Sequence, residues 1–103
     1  MDFGEVIYQT SLTFPELEKF NLSSQICRAS DSIALNISEG AIGQSNAEQQ
    51  KFIGYAIRSL AEVLTCLHKA NKRNYILEEK FIELYNEAYH LMNMITAFKK
   101  NIK

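Results

Sequence analysis

Pro15 is the only proline in this 103-residue chain, and there are only four glycines. Helix breakers this scarce argue against a loop-rich or all-β protein. Tryptophan is absent. No uncharged apolar run approaches the ~20 residues of a membrane span. Asp2 and Glu5 give the N-terminus the wrong charge for a signal peptide, so the expected compartment is the cytoplasm. The two cysteines, Cys27 and Cys66, fall inside helical patterns without metal-ligand spacing, and are expected as buried, reduced thiols. His68 and His90 stand alone, and neither belongs to a ligand motif. Ser23, Ser24 and Ser32 have no elbow motif and no His placed as a base. Phosphate-cradling glycines are missing too. No catalytic residue, metal, cofactor or small-molecule substrate is therefore expected. A net charge of −1 builds no long-range attraction to nucleic acid into one copy of the chain.

What is present is helical patterning over a length that suits a single domain, residues 1–103, with 47% hydrophobic residues. A short first helix is expected at Phe3 to Ser11, ended by Phe14-Pro15, since the residue before proline avoids helical angles. Pro15 opens a turn over Glu16 to Phe20. Leu22, Ile26, Ala29, Ile33 and Ile37 mark one face of a second helix, Leu22 to Glu39, with Gly40 and Gly43 as stop and turn. Ser45 to Glu48 has capping-box form and starts a third helix that reaches Lys72. Two apolar rows on that helix imply partners on two sides. The fourth helix, Leu77 to Asn101, carries Phe81, Leu84, Ala88, Leu91, Ile95, Phe98 and Ile102 at bundle-seam spacing. Short connections then give an all-α fold, an antiparallel up-down four-helix bundle with a short first helix.

A polar row flanks the core of the second and third helices: Gln25, Arg28, Ser32, Asn36 and Glu39, then Ser59 and Glu62. Antiparallel pairing about Gly43 sets Arg28 level with Ser59 and one turn from Glu62. Arg28 and Glu62 are the expected buried or half-buried ion pair, whose disruption would cost ~3–5 kcal/mol. The alternative is an Arg28 that snorkels to solvent and gains under ~1 kcal/mol from Glu62.

The pattern Phe14-Pro15-x₂-Glu18, then Gln25, Arg28, Ala29, Ser32, Ile33, Asn36, Ile37, Glu39 and Gly40, then Phe52, Ala56, Ser59, Leu60 and Glu62, resembles the four-helix-bundle proteins encoded in intervening sequences of 23S rRNA genes. The match spans Phe14 to Ile76. The resemblance implies a left-handed up-down bundle, a ring-like homopentamer, proximity to rRNA and no enzymatic activity. A similar accessory protein of diversity-generating retroelements binds nucleic acid and a reverse transcriptase. This chain departs from the family in its short first helix, in Arg58 where a glycine is common, and in a turn after Gly40 without a basic residue.

Two basic clusters are candidates for nucleic-acid contact. Lys69, Lys72, Arg73 and Lys80 lie near one pole; Lys99, Lys100 and Lys103 lie near the other. Cations at helix C-termini are also expected from the helix dipole alone. A ring would repeat each cluster into a band able to bind phosphates in a salt-dependent way. A second apolar row on the fourth helix, Ile82, Tyr85, Tyr89 and Met92, is the expected oligomer interface. The expected function is RNA or ribonucleoprotein binding through a cyclic homo-oligomer. The alternative is a protein-interaction scaffold, or an accessory subunit of a nucleic-acid enzyme such as a retroelement reverse transcriptase.

Overall fold

Asp2 starts the first helix by accepting the Glu5 amide hydrogen at 2.9 Å, and α1 runs Phe3–Ser11. The structure is a computed structural model and describes residues 2–43 and 45–102. Pro15 then opens a single 3₁₀ turn, Glu16–Glu18. The next helix, α2, is Leu22–Ala41, followed by α3, Asn46–Lys72, and α4, Glu78–Lys100. Among the described residues there is no strand.

Two helix ends carry physical information. Gly40 was expected to stop α2, yet it stays helical and buried. A β-carbon there would lie 3.5 Å from Phe52 Cβ, Ile53 Cδ1 and the Gln49 carbonyl, so Gly40 brings α2 against the start of α3. The end of α3 is a Schellman motif. Tyr75 N–H donates to the Ala70 carbonyl at 2.9 Å, and Asn74 N–H to the Asn71 carbonyl at 3.0 Å. Asn74 sits at φ 63°, the left-handed region that glycine and asparagine tolerate. Asn74→Gly should leave thermal stability level or slightly raised. Asn74→Val should cost roughly 1–2 kcal/mol in denaturant titration.

The core lies between α2 and α3, which pack along most of their lengths. Leu22 and Ile26 meet Leu60, Val63 and Leu67 there, all at most 1% exposed. Ile7 of α1 and Leu84 of α4 close it from the sides, each fully buried. One hollow is shared by Gly4 and Tyr8 of α1 with Ser30, Ala34 and Leu35 of α2, so α1 reaches only to the level of Leu35. Beyond that level the core is open. Ile37 is 37% exposed and Phe98, expected in the α4 seam, is 50% exposed. With Ile53, Leu91, Met94 and Ile95 they line an apolar groove.

Candidate functional site

Among the described residues the most connected side-chain polar group is Glu18, which lies in the 3₁₀ turn and is 3% exposed. Its carboxylate accepts the Tyr75 hydroxyl at 2.7 Å and the Arg73 guanidinium at 3.1 Å. It also accepts Asn21 Nδ2 at 3.0 Å and the Leu22 amide at 3.3 Å. Asn21 makes no side-chain cap for α2, so Glu18 supplies the anion at that helix start. The Schellman turn at Asn74 presents Arg73 and Tyr75 to it, and the Phe14 ring packs 5.8 Å from the Tyr75 ring. The Tyr75 hydrogen bond chiefly holds the Glu18 carboxyl below its ordinary range, helped by the Leu22 amide, Asn21 and Arg73 and opposed by burial. The same bond raises the Tyr75 phenol. The Phe-Pro-x₂-Glu motif is thus a clamp that ties the start of α2 to the α3–α4 turn.

The polar row divides in two. Ser59 Oγ donates to Ser32 Oγ at 2.9 Å, and Asn36 Nδ2 donates to the Ser32 carbonyl at 2.8 Å and to its hydroxyl at 3.0 Å. These three side chains are half-buried. The expected Arg28–Glu62 ion pair is absent. Arg28 donates to Ser24 Oγ on its own helix at 3.1 Å, and both Arg28 and Glu62 are exposed. The register is one helical turn from the expected one, with Ser32 rather than Arg28 opposite Ser59. This leaves Arg28 and Glu62 at similar heights, but both side chains stand in solvent and Arg28 bonds along its own helix instead. Gln25, bonded to Asn21, and Glu39 are exposed too. Arg28→Ala should therefore change stability by less than about 0.5 kcal/mol, as at other exposed positions, in thermal or chemical melts.

Along α4, Ile82 is 49% and Tyr89 52% exposed, while Tyr85 and Met92 are half-buried. Tyr85 stacks on Tyr89 with centroids 5.8 Å apart, and His68 of α3 meets the edge of Tyr85 at 5.3 Å. The result is an aromatic strip open to one side. A second apolar feature is a knob on the 3₁₀ turn, where Leu17 is 78% and Phe20 89% exposed. Cys66 is buried, which pushes its thiol pKa up; Cys27 is only half-buried, 3.1 Å from Ser11 Oγ.

Of the two basic clusters, part is engaged in ion pairs and part is exposed. Arg73 is paired with Glu18, and Lys80 lies 3.9 Å from Glu83. Lys69, Lys72 and Lys100 are exposed, and Lys103 lies outside the described residues. Lys99 instead joins two cations that its cluster did not include. Lys51 and Arg58, two turns apart on α3, line with Lys99 a hollow of about 510 Å³ completed by Gln50, Gly54, Tyr55 and Ile57. Its lining holds no carboxylate, and none of the three cations makes an ion pair among the described residues. The Gln50 side-chain amide donates to the Ile102 carbonyl at 2.7 Å, fixing the end of α4 beside α3. Among the described residues no helix is long and apolar enough to cross a membrane.

No curated protein matches the chain. Among solved structures it is similar to a protein of unknown function from the S23 ribosomal protein family of Bacteroides thetaiotaomicron, with 23% identity and a TM-score of 0.78. That similarity covers 97% of this chain and all of the other, and it shows a shared fold. With residues 1–97 matching the family profile, the chain belongs to the 23S rRNA-intervening sequence proteins.

Proposed function

We propose that this protein is a non-catalytic helical bundle that assembles with its own copies into a closed ring, and that the ring binds RNA or a ribonucleoprotein. The observation that carries the reading is the aromatic strip of α4, where Tyr89 is 52% and Ile82 49% exposed. Soluble monomers rarely leave contiguous apolar surface of this kind uncovered. The strip, the groove around Phe98 and the knob at Phe20 are three unlike surfaces, and unlike surfaces that join copies make a heterologous interface. Such an interface closes into a ring or grows into a filament. A pentamer is the size that the family resemblance implies. Membership of a family named for the 23S rRNA supports RNA as the partner.

Light scattering on the full chain tests the assembly. The expected result is one species of fixed mass, about five copies, independent of concentration. A monodisperse monomer at high concentration would defeat the reading. RNA affinity should fall steeply as salt rises, because bound cations release counterions from the phosphates.

One observation favours the scaffold alternative. Phe20 projects from a turn that Glu18 holds rigid, and an apolar knob suits a protein partner better than a phosphate backbone. That reading expects a partner whose binding is insensitive to salt and is lost with Phe20→Ser.

A further inference from the structure

We infer that the hollow formed by Lys51, Arg58 and Lys99 binds the phosphodiester backbone of single-stranded RNA; this rests on the RNA reading above. Three cations from two helices converge there without a carboxylate in the lining. Like charges gathered on one patch repel each other, and an anion relieves that repulsion. The Lys99 side chain lies over the floor of the hollow at Gly54. Gly54 has no side chain, and a β-carbon built there would lie 3.8 Å from both Lys99 Nζ and Cε. A phosphate in the hollow would meet the Lys99 ammonium above α3, beside Lys51 and Arg58.

The aromatic content of the rim selects a single strand. Tyr55 is 39% exposed beside the cations, with Arg58 Cζ 5.9 Å from its ring centroid. The edge of Phe52 meets that ring at 5.8 Å, and Lys51 Nζ stands 5.1 Å over Phe52. A groove that pairs cations with aromatic faces takes phosphates on the first and unpaired bases on the second. Arg58 contributes its fork of donors, which suits phosphate oxygens.

Fluorescence anisotropy of a short labelled single-stranded RNA tests the inference, with the full chain and variants of unchanged light-scattering mass. The Lys51→Gln/Arg58→Gln/Lys99→Gln variant should bind at least roughly tenfold more weakly. Its slope of log affinity against log salt should be shallower by about 2, at roughly 0.7 per phosphate contact. Gly54→Glu should lose affinity as strongly. It places a carboxylate in the hollow, while glutamate favours the helix over glycine, so folding is not at risk. Lys19→Gln, exposed and outside the lining of the hollow, should bind within about twofold of the parent. Unchanged affinity and slope in both hollow variants would overturn the inference and leave the RNA reading standing. Failure of the parent protein to bind the RNA at low salt would remove both. Tripolyphosphate bound in the hollow without RNA binding would replace the inference with a free-anion site.

Discussion

Glu18→Gln should lower the melting temperature by about 10 °C or more at neutral pH, the largest loss from any single polar change in this chain. The carboxylate accepts four hydrogen bonds from four separate donors: Tyr75, Arg73, Asn21 and the Leu22 amide. A glutamine keeps one acceptor oxygen and turns an NH₂ group toward the others. The Tyr75 hydroxyl can rotate to accept, but a guanidinium has no acceptor and is left facing a donor. Removing one partner of such a cluster also strands the rest, and the start of α2 loses its anion. By contrast, Lys72→Ala on the exposed end of α3 should move the melting temperature by only a degree or two.

The pH dependence has a definite sign. The Glu18 carboxyl is held below its ordinary value of 4.5, chiefly by the Tyr75 hydroxyl. Its contribution is complete above that value and is lost as pH falls through the lowered one. The Tyr75 phenol is raised above its ordinary value of 10.0 by the same bond, so its contribution is complete below that value and lost as pH rises through the raised one. Glu18→Gln removes the first dependence and the main cause of the second. Melting curves recorded from acid to neutral pH should therefore converge for parent and variant at the acid end and diverge toward neutrality. Parallel curves would show that Glu18 is not held as an anion.

Helix positions were legible because periodicity and end signals act within a few residues. Ser45 caps α3 as its sequence implies, and all four helices fall within two residues of their expected ends. The polar row was only half legible. Spacing names a face, but a one-turn shift in the α2–α3 register decides which polar side chains meet. Ser32 therefore reaches Ser59, whereas Arg28, still close in height to Glu62, is exposed and turns back along its own helix. The clamp was hidden for a different reason. Glu18 lies in one 3₁₀ turn with no periodic signal, and two of its partners, Arg73 and Tyr75, stand more than fifty residues away in sequence. The Phe-Pro-x₂-Glu motif marked the residue without naming its partners. Lys51 and Arg58 sit seven residues apart, hence on one face of α3, which was readable. The arrival of Lys99 depends on how α4 lies against α3, which was not. Phe98 fitted the seam by spacing, yet α1 stops too early to cover that end of α4.

Tyr89→Glu should dissociate the proposed ring into folded single copies. Tyr89 is 52% exposed in the isolated chain, and its ring neighbour on the strip is Tyr85. The isolated copy should tolerate the change, because glutamate is the better helix former and the site is open to water. At a covered interface the same carboxylate would be buried without a cation. An uncompensated buried charge costs about 3–5 kcal/mol. At about 1.4 kcal/mol per factor of ten, that is roughly two to four orders of magnitude in affinity at each contact. Light scattering should fall to the mass of one copy while circular dichroism keeps its full helical signal, and Tyr89→Phe should leave the ring intact. An unchanged mass for Tyr89→Glu would remove the α4 strip from the interface. The dissociated variant keeps every lysine and arginine, including Lys51, Arg58 and Lys99. If RNA is bound by cations repeated around a ring, its salt-dependent affinity should fall with the mass, since one copy of the parent chain has a net charge of only −1. Full RNA affinity in the single copy would instead make one hollow sufficient and the ring unnecessary for binding.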